Sequence, residues 1–141
     1  MSQQPFIIER SYNAPVATVW KALTDKNEMK KWYFDLKEFK PEVGFTFEFE
    51  GGPEDRKYIH RCVVTEAVEN NKLSYSWSYV GYEGCSYVSF ELFPEGKGTK
   101  LKLTHAGLET FPPIQDFAKE NFMAGWTDII GRSLKAYLEN N

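Results

Sequence analysis

The chain carries two histidines, His60 and His105, and two cysteines, Cys62 and Cys85. His60 and Cys62 are spaced i, i+2, which puts both side chains on one face of a strand. Two ligands are too few for a structural zinc site, which takes four. The two cysteines have no metal-type spacing between them. The same pair has the spacing of a thiol and its base, but no motif supplies the carboxylate that would orient the imidazole. Both cysteines are therefore expected to be buried free thiols. No Gly-x-Ser-x-Gly elbow occurs, and Gly84-Cys85-Ser86 does not substitute for one. The glycines are dispersed turn residues, with no phosphate-cradling loop among them. Glu66 and Arg61 sit on a segment of unclear alternation. Either could project inward, where desolvation would raise the pKa of the carboxylate and suit it to proton transfer; a solvated position is the favoured reading. Glu91, between Phe90 and Leu92, faces outward. His105 has the parity of Leu101 and Leu103 and points inward. Its expected role is to hydrogen-bond the loop Gly107 to Pro113, with a polar contact to a ligand as the alternative. No complete acid–base pair emerges, so no catalytic residue, metal or cofactor is expected.

The elements that position these residues follow from periodicity. Phe6 to Tyr12 reads as a strand with Phe6, Ile8 and Tyr12 on one face. Asn13-Ala14-Pro15 opens a helix, Pro being favoured in the first turn, and Val16, Val19, Trp20 and Leu23 form one apolar stripe. Asp25 and Glu28 make a capping-box-like pair, which predicts a second short helix from Lys26 to about Trp32. Gly44 to Glu50 alternates strictly, with three Phe on one face, and Gly51-Gly52-Pro53 breaks it. Tyr58 to Val68 is a third strand and Asn70-Asn71 a turn. Leu73, Tyr75, Trp77 and Tyr79 alternate with serines in a fourth strand, and Gly81 to Gly84 turns. Val88, Phe90 and Leu92 mark a fifth, closed by Pro94-Glu95-Gly96, and Thr99 to His105 is the sixth. From Asp116 to Leu138 the period becomes helical. Asp128, Arg132, Lys135 and Glu139 fall on one side. Phe122, Met123, Trp126, Ile129, Ile130, Leu134 and Tyr137 fall on the other. A helix of ~23 residues is roughly 34 Å long and needs a large apolar surface, which only the inner face of the sheet offers. Gly125 and Gly131 each cost about 1 kcal/mol relative to Ala, a cost expected to reflect close packing or a slight bend.

The pattern predicts a single α+β domain over residues 1–141: a strongly bent antiparallel sheet of about six strands around a long C-terminal helix, with two short helices after the first strand. Aromatic residues make up 16% of the chain. Trp32, Phe34, Phe47, Phe49, Tyr75, Trp77, Phe90, Phe122 and Trp126 are predicted to face the space between sheet and long helix, with Leu103, Ile130 and His105 beside them. Such a space is where a small hydrophobic or amphipathic ligand would sit; a solid core of the same rings is the competing reading. At 42% hydrophobic and 26% charged residues the composition is that of an ordinary globular protein. A net charge of −3 without a basic stripe argues against nucleic acid. No apolar run is long enough to span a membrane. Met1 to Phe6 do not resemble a signal peptide, so the expected location is the cytoplasm.

Several segments resemble a known family: Asn13-Ala14-Pro15 with Val19-Trp20 and Leu23-Thr24-Asp25; Lys31-Trp32; Val43-Gly44 with Phe45 and Phe47; Leu73-Ser74-Tyr75-Ser76-Trp77; Thr99 to Gly107; and Gly125-Trp126 leading to Leu134 and Tyr137-Leu138. In order and spacing they are similar to the homologues of the activator of Hsp90 ATPase, of the type of that activator's C-terminal domain. The resemblance implies the helix-grip, or START-like (Bet v 1-like, SRPBCC), fold. The aromatic inner face favours a non-catalytic domain that binds a small hydrophobic or amphipathic ligand in the cleft, and the resemblance implies modulation of an Hsp90-type chaperone as the alternative. Related folds also include cyclases and hydrolases, a third and less favoured reading. The charged outer face of the long helix argues against a large apolar interface, so a monomer or weak homodimer is expected.

Overall fold

The computed structural model describes residues 5–33, 36, 38–51, 57–112 and 117–139. Strand β1 (Phe6–Tyr12) is followed by helices α1 (Val16–Thr24) and α2 (Lys26–Trp32). Strands β2 (Thr46–Gly51), β3 (Tyr58–Val68), β4 (Lys72–Tyr79), β5 (Ser86–Glu95) and β6 (Gly98–Ala106) come next. A 3-10 turn (Leu108–Thr110) leads on toward the C-terminal helix. The sheet is antiparallel throughout, in the order β1-β6-β5-β4-β3-β2. The two helices after β1 therefore carry the chain from one edge of the sheet to the other. This is the expected α+β helix-grip arrangement.

Alternation decides which side chains face the helix. Phe47 and Phe49 of β2 are buried, while Thr46, Glu48 and Glu50 are exposed. The register sets Phe6, His105, Val88, Tyr75 and Val64 side by side across the sheet. On the outer face the same pairing lines up Glu9, Lys102, Glu91 and Lys72, alternating in sign; opposite charges directly across strands favour this register. The unclear alternation of β3 has a local cause. A register shift between Val64 and Glu66 interrupts its pairing with β4, and Thr65 and Glu66 are both exposed.

The short helices depart in detail from the reading above. Pro15 is the N-cap of α1 and not part of its first turn. Asp25 caps α2 by accepting from the Asn27 N–H at 2.8 Å, but Glu28 does not complete the box. Its carboxylate accepts from the Tyr137 hydroxyl at 2.9 Å and lies 3.4 Å from Lys21 Nζ, tying α2 to the end of the chain. Asp116 lies outside the described residues, and the long helix begins at Lys119.

That helix has three parts: α3 (Lys119–Asp128), a π segment (Ile129–Ser133) and α4 (Leu134–Glu139). The buried positions Phe122, Trp126, Ile130, Leu134 and Leu138 recur every four residues. In an uninterrupted α-helix each such step overshoots a turn by ~40°, so the row would drift by ~160° from first to last. The wider π turns take up part of that drift, and all five positions stay buried. The Ile130 carbonyl accepts from the Tyr12 hydroxyl of β1 at 2.6 Å. Asp128 pairs with Arg132 and Lys135 with Glu139 on the outer side, as expected. Met123, expected inside, is 43% exposed. The two glycines differ: a Cβ at Gly125 would meet nothing within 4 Å, whereas one at Gly131 would lie 3.2 Å from Arg10 Nε. Close packing therefore accounts for Gly131 and not for Gly125.

Candidate functional site

The inner face of the sheet, α3 and the end of α2 enclose a continuous cluster of rings. Trp77 lies at its centre, 5.6 Å from Phe49, 5.1 Å from His60, 5.7 Å from His105 and 5.6 Å from Trp126, centroid to centroid. Tyr75 meets Phe47 edge-on at 5.1 Å and Phe90 at 5.8 Å. Trp126 also faces Phe90 at 5.8 Å, and Phe122 meets His105 at 5.3 Å. Trp32 stacks on Tyr33, which reaches Phe49 and Trp126 at 6.1 Å each. Such edge-to-face and offset contacts match the ring quadrupoles. Trp32, Phe47, Phe49, Tyr75, Trp77, Phe90, Leu103, His105, Phe122, Trp126 and Ile130 are all buried and share this interior. Phe34 lies outside the described residues.

Few polar groups enter the cluster, and their bonds fix their states. The Trp126 indole N–H donates to His105 Nδ1 at 2.9 Å. Indole nitrogen is donor only, so the imidazole proton sits on Nε2 and is donated to Ser86 Oγ at 2.7 Å. Ser86 in turn donates to the Trp77 carbonyl at 3.2 Å. Burial pushes the His105 pKa down to about 3, so the ring is neutral. It ties β5, β6 and α3 together, where the sequence suggested a bond to the following loop. His60 lies flat on Phe49 at 4.6 Å, and its Nδ1–H donates to the Tyr58 carbonyl at 3.1 Å. Burial, outweighing its backbone bonds, lowers its pKa to about 4. The hydroxyls of Tyr33 and Tyr75 are 2.8 Å apart, and burial pushes both phenols well above the usual tyrosine value.

The remaining candidates for chemistry separate. Burial raises the Cys62 thiol, the opposite of what a thiolate nucleophile needs. Cys85 is half-buried, not buried; it sits at the entrance to β5, where its backbone N–H donates to Thr110 Oγ1. Arg61 pairs with Glu48 at 2.6 Å on the outer face, and Glu66 pairs with Lys72 at 3.2 Å. Neither projects inward, Glu66 because it follows the register shift in β3. Among the described residues no three His, Cys, Asp or Glu side chains gather as a metal site.

The sequence reading missed Tyr33, His60, Tyr79, Phe111 and Phe117 as members of the interior. Tyr79 shares the parity of Tyr75 and Trp77, and His60 that of Cys62, so alternation alone could have placed those two. Phe111 and Phe117 both precede the regular helix, which begins at Lys119, so its period does not place them. Phe111 stacks on Phe122, and Phe117 stacks on Tyr79 at 4.4 Å.

A family model described as Activator of Hsp90 ATPase homolog 1-like protein matches residues 13–139. No curated protein sequence matches the chain. Among solved structures, a protein of Mesorhizobium loti is 27% identical, with 98% of each chain covered and a TM-score of 0.82. The CalU16 protein of Micromonospora echinospora is 26% identical over 95% of this chain and 75% of its own, with a TM-score of 0.74. A protein of Chromobacterium violaceum, 21% identical over 96% of each chain with a TM-score of 0.80, is similar in fold.

Proposed function

From the premise that the chain belongs to the Activator of Hsp90 ATPase homolog 1-like family, in the START-like, Bet v 1-like group of folds, we propose that it is a non-catalytic module that binds a small, flat, hydrophobic or amphipathic molecule between the sheet and the C-terminal helix. The observation that carries this reading is the ring cluster around Trp77, apolar over most of its surface and supplied with a few convergent polar groups: the Tyr33–Tyr75 hydroxyl pair and the His105 relay. Binding sites for small molecules combine these two features. The non-catalytic part rests on proton placement. With Nδ1 occupied by the Trp126 donor, His105 presents a proton to Ser86 and cannot remove one from it. A general base needs the reverse.

A ligand burying ~300 Å² of apolar surface gains about 7 kcal/mol at ~25 cal/mol/Å², and association costs at least ~4 kcal/mol. Micromolar or weaker affinity is the expectation. Titration of 2-naphthol against intrinsic tryptophan fluorescence tests the reading, because Trp77 and Trp126 lie within the cluster. Saturable quenching is expected; a linear, unsaturable response would overturn it. On this reading the protein leaves the ATP hydrolysis rate of an Hsp90-type chaperone unchanged, and a reproducible change in that rate would favour the chaperone role instead.

A further inference from the structure

Phe117 sits at the end of the ring cluster in a seat made of other rings. Its ring stacks on Tyr79 with centroids 4.4 Å apart and planes 21° from parallel. Tyr58 stands beside it at 5.1 Å, Tyr82 meets it edge-on at 5.3 Å, and Phe111 lies at 5.8 Å. The walls come from three places in the sheet: Tyr58 from the start of β3, Tyr79 from the end of β4, and Tyr82 from the β4–β5 turn. Tyr58 and Tyr82 also contact each other at 5.5 Å, so the seat has walls of its own apart from its occupant. Phe117 is 4% exposed while Tyr82 is 44% exposed, which places the seat at the boundary between interior and solvent. The floor connects inward, since the Tyr79 hydroxyl accepts from the Trp77 indole N–H at 3.0 Å. Phe117 lies outside the regular helix, two residues before Lys119, and nothing in its side chain can hydrogen-bond. Ring contacts and burial hold it.

We infer that the Tyr58–Tyr79–Tyr82 seat is a subsite for a planar aromatic ring, and that Phe117 fills it as an internal stand-in which a ligand ring displaces. This rests on the small-molecule reading above and narrows its ligand class to molecules carrying a flat ring. A flat ring gains the same stacked and edge contacts that Phe117 makes now, whereas a saturated ring system of equal size does not. Because the occupant must leave first, the apparent affinity is reduced by the fraction of molecules with the seat open.

The test compares wild type, Phe117→Leu and Phe117→Ala, each checked for a native near-UV circular dichroism spectrum. Each is titrated with 2-naphthol and with decahydro-2-naphthol, its saturated counterpart. The dissociation constant for 2-naphthol is expected to fall in the order Phe, Leu, Ala, by about tenfold overall, and the preference for the flat probe is expected to widen in the same order. Leu keeps most of the apolar bulk, so it reports even if the Ala variant does not fold. Adding Tyr82→Ala, at an exposed wall, is expected to cancel the gain. Equal affinities across folded variants, with wild type still binding, would overturn the subsite and leave the binding module standing. Absence of binding in every variant would overturn both.

Discussion

At the scale of single residues, the interior is held by polar atoms whose protonation is dictated by burial. His60 and His105 have ordinary values of 6.5 when unfolded and about 4 and about 3 when folded. The unfolded chain therefore binds more protons below pH 6.5, and stability must fall as pH drops through that window. The stabilisation is complete above about pH 7. By pH 5 the loss is about 2 kcal/mol for each histidine, readable as a falling urea midpoint between pH 7 and 5. The lowered carboxyls of Asp128 and Glu139, held down by their hydrogen bonds to Arg132 and to the Asn13 backbone, lose their contribution at lower pH still, so they do not mask the effect. A flat midpoint over this range would refute the burial of neutral imidazoles. Trp126→Phe removes the donor to His105 Nδ1 and leaves a buried acceptor unpaired, at a cost of ~1–3 kcal/mol. The expected companion signal is a change in His105 tautomer by nitrogen NMR. Sequence parity placed His105 inward and would have placed His60, which shares the face of Cys62. It did not tell what they bond, because the partner of His105 on the C-terminal helix is set by how that helix packs.

Among the elements, the C-terminal helix is where reading and structure part most usefully. The four-residue spacing of Phe122, Trp126, Ile130, Leu134 and Leu138 is written in the sequence, yet a 3.6-residue wheel spreads those positions and draws Met123 inward. Recognising that the spacing exceeds an α-turn would have pointed to the π segment and to an exposed Met123. Tyr12 supports that segment through the Ile130 carbonyl. Tyr12→Phe is expected to destabilise the protein by about 1–2 kcal/mol and to speed amide exchange over residues 129–133 relative to α3. Gly125→Ala is expected to raise stability by ~0.5–1 kcal/mol, since its Cβ enters open space. Gly131→Ala gains less because Arg10 must shift. Equal denaturant midpoints for the two glycine variants would count against this account. The strands were legible because each buries one face; β3 blurred where its register shifts. β2 begins two residues later than the alternation from Gly44 suggests, and β5 continues through Pro94 and Glu95, expected to close it, because both still pair with β6.

Over the whole molecule, β1 lies at one sheet edge and β2 at the other, with α1, α2 and the long helix spanning the gap. Glu28 with Tyr137 and Trp32 with Ser133 join α2 to the long helix, and Asn13, in the turn before α1, joins Glu139 at its end. One buried cluster runs through all of these elements, so unfolding should be a single cooperative event. Urea curves by tryptophan fluorescence and by far-UV circular dichroism are expected to coincide, and separated midpoints would show independent units. The pairing of Phe6 with His105 also bears on how the protein is made. A ribosome releases β1 early, and at ~5–20 residues per second its partner β6 follows on the order of ten seconds later. Until β6 and then the final helix emerge, the first strand has no strand partner and Trp77 of the half-built sheet stays open to solvent.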